Sequence, residues 1–193
     1  MTPYDFIHLT LHAVGGEIQG RTKLQKTVYF LGVFTGALDE LGYRPHFYGP
    51  YSDAVAAGLN RLKSLGFVSE STLGSGAIGV GGFEIARHDF ELTEEGKRIA
   101  AEKAKQNPET WNKLKEAADR FRKAGEIDYM RMSVAAKTYF MLKQRGKAAT
   151  PSELSESAKA LGWTAKPDEI SEAISFLEKL KLVTTKPKEL LGA

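Results

Sequence analysis

The chain has 193 residues, 27 Lys and Arg against 24 Asp and Glu, 42% hydrophobic residues and no Cys. That length fits one large domain or two small ones, and the apolar content is enough for a core, which argues against global disorder. Without Cys there is no disulfide scaffold, thiol nucleophile, iron–sulfur cluster or Cys-ligated zinc.

No run approaches the ~18 apolar residues that a membrane span needs. The opening Met1-Thr2-Pro3-Tyr4-Asp5 lacks the basic and apolar regions of a signal peptide, so a cytoplasmic protein is expected. The net charge of +3 conceals an asymmetry. Residues 1–95 carry 7 basic and 11 acidic side chains, a net −4, whereas residues 96–193 carry 20 and 13, a net +7. A sign change of this kind points to two functional regions.

Thr2 and Pro3 predict a helix start, with Asp5 favoured by the dipole in the first turn and Gly15-Gly16 as the stop. Thr22-Lys23-Leu24-Gln25 fits a capping box for a second helix, with Leu24, Val28 and Leu31 on one face joined by Phe34. Gly36 and Gly42 bracket a loop. Tyr43 to Tyr51 reads as non-helical, because Arg44 and Gly49 each precede a proline and are pushed towards extended backbone. Ser52 caps a third helix with a Val55, Leu59, Leu62, Leu65 stripe ending at Gly66. Phe67 to Thr72 reads as a strand. Gly74 to Gly82 is a glycine-rich turn, and Phe83 to Leu92 reads as a returning strand. Thr93-Glu94-Glu95 opens another helix.

Asn107-Pro108 starts a helix in which Trp111, Leu114, Ala118 and Phe121 form one narrow apolar seam. That seam is expected to pack on a partner helix, in the same chain or another, and is the expected contact of a homodimer. Ser133 is expected to begin a C-terminal unit. Thr150-Pro151-Ser152-Glu153 is a complete capping box with proline at the first helical position. Pro167 opens a last helix with an Ile170, Ala173, Ile174, Leu177, Leu180 stripe, and Leu182-Val183 reads as entry into a short strand.

The expected class is mainly α with a small β-hairpin. A winged helix-turn-helix domain spans 1–106, a helical connector 107–132 and a second helix-turn-helix-like unit 133–193.

Three stretches resemble a known family. Arg21-Thr22-Lys23-Leu24-Gln25-Lys26-Thr27-Val28-Tyr29-Phe30-Leu31 resembles the "KLQKLLYF"-type helix of the Panacea (SocA-like antitoxin) domain and of related predicted regulators of archaea and bacteria. Phe47-Tyr48-Gly49-Pro50-Tyr51-Ser52 is similar to the "yGP" element that follows it there. Phe90-Glu91-Leu92-Thr93-Glu94-Glu95-Gly96-Lys97 is similar to the "LTeeG" strand-to-helix junction of winged-helix regulators. The resemblance covers about residues 1–105. It implies a winged-helix-like domain with a regulatory or partner-neutralising role and no catalytic residues. The second helical unit, residues 133–185, is a departure from the typical Panacea domain.

Chemistry-bearing motifs are few. Gly74-Ser75-Gly76-Ala77-Ile78-Gly79 matches GxGxxG, but a strand-like segment follows where a dinucleotide site needs a helix. His8 and His12 are spaced i, i+4, a pair that can share a metal, yet no third ligand is evident. No nucleophile elbow, P-loop or acid–base carboxylate pair is present. Neither catalysis nor a cofactor is expected.

The basic surplus between Glu94 and Lys147, 14 basic against 8 acidic residues, is the footprint a polyanion would meet. The expected nucleic-acid contacts are Lys23, Lys26, Asn60, Arg61, Lys63, Lys97, Arg98, Lys103, Lys113, Arg120, Arg122 and Lys123. Arg44, Tyr48 and Tyr51, with Trp111, Leu114 and Phe121 of the seam, are the expected partner surfaces. The leading expectation is a DNA-binding transcriptional regulator acting as a homodimer. A protein-interaction module such as an antitoxin or adaptor, or an RNA- or ribosome-binding factor, is the alternative.

Overall fold

The computed structural model describes residues 1–74 and 86–185. The first helix, α1 (Pro3–Ala13), begins as its sequence dictates: the Thr2 side chain accepts from the Asp5 amide. A short strand, β1 (Glu17–Gln19), leads into α2 (Arg21–Thr35), a helical turn α3 (Leu38–Leu41) and α4 (Asp53–Ser64). Strands β2 (Val68–Leu73) and β3 (Arg87–Leu92) follow, then α5 (Glu94–Gln106), α6 (Pro108–Lys123), α7 (Tyr129–Arg145), α8 (Pro151–Ala160) and α9 (Pro167–Lys179). The chain is mainly helical with a three-stranded antiparallel sheet in the order β1-β3-β2, an α+β arrangement. Ile18 pairs with Phe90, and Val68 with Leu92, so one face of the sheet is apolar and turns inward.

Ser52, Thr93 and Thr150 all cap their helices as expected, and Thr150 and Glu153 complete the capping box. Four local expectations are corrected. Thr22 does not cap α2, whose N-cap is Gly20 with no side-chain bond, because Gln25 is drawn away into a tertiary contact. The stretch bracketed by Gly36 and Gly42 closes into α3 rather than an open loop. Helix α7 starts at Tyr129, where the Asp128 carboxylate takes the amides of Met130 and Arg131, so a boundary at 132/133 cuts through a helix. Leu182 and Val183 are not in a strand; Leu182 closes back on Leu177 through its amide instead. Gly74 is described, but residues 75–85, with most of the GxGxxG match and the first residues of the expected returning strand, lie outside the described residues.

Helix α2 is the axis of the molecule. Every residue from Leu24 to Gly32 is buried, which marks a helix covered on all sides. Its Leu24, Val28 and Leu31 join α1, α4, the sheet and Leu114 of α6 in one apolar cluster. Its Tyr29 and Phe30 join Met132 and Ala135 of α7 and Phe176 and Leu177 of α9 in a second. The N-terminal segment and helices α7 and α9 therefore share apolar surface through α2. Each fully buried Leu or Phe there contributes roughly 1.5–3 kcal/mol relative to exposure.

Gly96 shows how tightly α5 is seated. A Cβ at that position would lie 2.0 Å from the Phe67 carbonyl oxygen. His8 accounts for part of the same junction: its Nε2 lies 2.8 Å from the Gly96 carbonyl oxygen and its ring stacks on Phe67.

Candidate functional site

Two surface features are built with more care than packing alone requires: the Tyr43–Tyr51 loop and the polar face of α4. The loop is a small hairpin. Arg44 and Tyr51 exchange both backbone hydrogen bonds, and His46 and Gly49 exchange another pair across the tip. Gly49 has φ +95°, and a Cβ there would meet Lys137 Cγ at 3.0 Å. Only glycine suits both the backbone region and the space.

The base of the hairpin is held by side chains from distant parts of the chain. The Gln25 amide donates to the Ser52 carbonyl at 3.0 Å and accepts from the Ser52 amide at 3.1 Å, behaving as a strand neighbour would. Tyr43 donates its hydroxyl to the Gln25 carbonyl at 2.8 Å. Lys26 donates to the Pro50 carbonyl at 2.7 Å. From the far side, Ser133 of α7 donates to the Tyr48 carbonyl and the Trp163 indole to the His46 carbonyl. The motif helix and the "yGP" element are thus two halves of one clamp. Its product is a projecting tip on which Phe47 is 79% and Tyr48 56% exposed.

Lys26 was expected on a nucleic-acid surface. The structure corrects this: its side chain is 1% exposed. Burial, with the charge of Lys137 nearby adding to it, draws its pKa down from 10.5 to about 7. His8 is likewise held as the neutral form, its pKa lowered to about 4 chiefly by burial. The His8/His12 pair does not converge, since His8 faces Gly96 and Phe67 while His12 stacks on Trp111 at 5.0 Å.

The apolar seam of α6 is also used within the chain. Leu114 is 0% exposed, and it packs with Ala118 into the first cluster. Phe121 meets Phe30 and Phe176. The seam found its partner helices in cis, so Leu114 offers nothing to a second copy.

On α4, Asp53, Ala57, Asn60, Arg61 and Ser64 are exposed, while Val55, Leu59 and Leu62 face the core. The expected basic contacts fall into separate groups rather than one stripe. Asn60 and Lys63 share a groove of about 240 Å³ with Arg21 and Gln25. Arg61 and Lys103 both lie over the Tyr4 ring, and Lys103 also pairs with Asp5. Lys23 and Arg122 line a second cavity of about 420 Å³ beside β1, where Lys23 pairs with Glu126.

Many of the remaining cations have acidic neighbours on their own helix: Lys97 with Glu94, Arg98 with Glu95, Lys113 with Glu109, and Arg122 with Asp119. Arg44, expected on the partner surface with Tyr51, pairs with Asp53. Arg120 lies over the Phe34 ring, and Lys123 has no ion pair among the described residues. Exposed pairs of this kind are worth about 0–1 kcal/mol, so a phosphate can replace the carboxylate at small cost.

Sequence reasoning missed Gln25, Ser133, Lys137 and Trp163 as clamp residues, and Arg21, Glu70 and His88 beside α4. For Gln25 the local spacing pointed elsewhere, to a capping box with Thr22 that the structure does not form. For Glu70 and His88 there was no signal, because their meeting depends on strand register.

No family model matches the chain. A curated protein of Bacillus subtilis (strain 168), named "Uncharacterized protein YwgA", is 44% identical over 55 residues, which is 28% of this chain. The matched stretch spans about a third of that protein's length (32%).

Proposed function

We propose that this protein is a non-enzymatic, winged-helix regulator that binds duplex DNA. The observation that carries the proposal is the order helix, strand, helix, helical turn, helix, strand, strand around an antiparallel β1-β3-β2 sheet, with the polar face of α4 exposed beside β2. That is the layout in which a helix-turn-helix protein offers its second helix to a groove. The same layout is what the Panacea-like motifs imply.

The interleaved acids set the strength. With most cations already paired, about three phosphates would be neutralised, far fewer than in a strongly basic DNA-binding surface. Binding is then weak and mainly backbone-directed. Asn60→Ala with Arg61→Ala tests the role of α4 by fluorescence anisotropy of a labelled duplex. Loss of about tenfold in affinity is expected for removing a base-edge and a phosphate contact. Unchanged affinity would remove α4 from the interface.

A second reading has its own observation. The clamped hairpin exposes Phe47 and Tyr48, residue types that anchor protein interfaces. In that reading the chain is an adaptor or antitoxin-like module, and its test is the double variant Phe47→Ala/Tyr48→Ala. A stoichiometric protein partner lost by this variant, together with absence of duplex binding by the native chain, would replace the DNA-binding proposal.

A further inference from the structure

Beside the α4 groove, three basic side chains from three elements converge on one carboxylate. Glu70 of β2 receives Arg21 of α2 at 3.1 Å and the ring of His88 of β3 at 2.8 Å on one oxygen, and Lys63 of α4 on the other. Glu70 and His88 are diagonal neighbours on one face of the β2–β3 ladder, where Glu70 pairs with Phe90 and Thr72 with His88. Arg21 reaches them from the first turn of α2, and the Gly20 amide is bonded to the His88 carbonyl at 2.9 Å. The arrangement does not depend on a flexible side chain alone: a strand register, a helix start and a helix face all fix it.

The stoichiometry is unusual for a structural ion pair. One carboxylate serves two permanent cations and a histidine, so the cluster keeps positive charge after Glu70 is counted. A carboxylate with both oxygens occupied by converging cations has the donor demand of a phosphate oxygen set. Arg21 is also 63% exposed, so the cluster opens to the surface. Glu70 shares the inner face with Phe90, Val68 and Leu92 and its side chain is 18% exposed, so it needs a counter-ion, but one cation already meets its charge and the second cation and the histidine exceed that need.

We propose that Arg21, Lys63 and His88 form a binding site for a backbone phosphodiester of duplex DNA, and that Glu70 occupies this site as an internal mimic until the phosphate displaces it. This rests on the DNA-binding reading above and adds to it a named phosphate contact with a built-in competitor. The self-pairing lowers affinity for any polyanion and holds the three donors in place for the one that fits.

Anisotropy of a labelled random-sequence duplex, measured from 50 to 200 mM salt, tests the site with full-length protein. Glu70→Gln is expected to tighten binding about tenfold, the size of one charge-assisted contact, and to steepen the slope of log affinity against log salt by about 0.9. Arg21→Gln, at an exposed position, is expected to weaken binding and flatten the slope by a similar amount. Glu156→Gln makes the same change in net charge on α8, where Glu156 pairs with Lys159, and is expected to leave both quantities unchanged.

If Glu156→Gln tightens binding as much as Glu70→Gln, the effect is net charge and the site is refuted. If the native chain binds duplex while Glu70→Gln and Arg21→Gln both match it, the site is refuted and DNA binding stands. If neither the native chain nor Glu70→Gln binds at 50 mM salt, the DNA-binding reading fails and the site with it. Competition by inorganic phosphate at matched ionic strength separates the sources: displacement of the duplex at low millimolar phosphate would reassign the site to a free anion. Thermal melting of each variant shows whether it is folded.

Discussion

Replacing Lys26 by Met should change the pH dependence of stability more than stability itself. The Lys26 amine is buried and its pKa falls from 10.5 to about 7 on folding. Between those values the unfolded chain binds more protons than the native one, so stability rises with pH. Below pH 7 the cost of burying the amine is fully present, and it is about 4 kcal/mol at pH 7. By pH 9.5 it has dropped to about 1.5 kcal/mol, so the Lys26 contribution changes by about 3 kcal/mol across that range. Lys26→Met removes this dependence. It also leaves the Pro50 carbonyl without its donor, at a cost of about 1–3 kcal/mol. The variant should therefore be about 1–3 kcal/mol more stable than native at pH 7 and lose that advantage by pH 9.5, where it lies between about equal and about 1.5 kcal/mol less stable. Urea unfolding followed by the fluorescence of Trp111 and Trp163, at several pH values up to 9.5, measures it. Stopping there avoids the buried tyrosines Tyr29 and Tyr43, whose raised pKa values begin to oppose folding at higher pH. A native-minus-variant difference that stays flat from pH 7 to 9.5 would refute the buried-lysine clamp.

His8 sets an acid limb by the same logic with the window shifted. Its pKa falls from 6.5 to about 4 on folding, so stability should drop by about 3 kcal/mol as pH falls through that interval, and His8→Gln should flatten that limb in an acid titration of urea midpoints. Gly96→Ala should cost 3 kcal/mol or more, because the new methyl group would collide with backbone rather than with a movable side chain; a loss under about 1 kcal/mol in thermal melting would show that α5 can shift.

The parts of the fold that were legible in the sequence were those decided locally. Thr2, Ser52, Thr93 and Thr150 cap helices because their hydroxyls sit within three residues of the amides they satisfy. The strands expected over Phe67–Thr72 and Phe83–Leu92 were likewise local signals, and the described part of the second, Arg87–Leu92, pairs with the first. What was not legible was decided by distant contacts. The 3, 4, 3 spacing from Trp111 to Phe121 announced an apolar face on α6 but not its occupant, and α1 and α2 fill it.

Gln25 fitted a capping box by spacing, yet Ser52, 27 positions on, offered two backbone partners at once. Leu182 and Val183 have strand-like residues but lie at the end of α9, where a turn back to Leu177 satisfies the backbone. The basic surplus of the second half was countable, but its neutralisation was not: Lys103 finds Asp5 only once the helices pack. The Panacea-like motifs read as two separate elements along the chain. Their mutual clamp through Gln25 and Lys26 belongs to the folded state.

Duplex binding against salt tests the central claim most directly. Anisotropy of a labelled duplex with the full chain, from 50 to 200 mM salt, should give a slope of log affinity against log salt of about −2.7, or a loss of roughly 40-fold across the range. A slope near zero, or no binding at 50 mM salt, would contradict duplex binding and leave the exposed Phe47–Tyr48 tip as the surface to pursue.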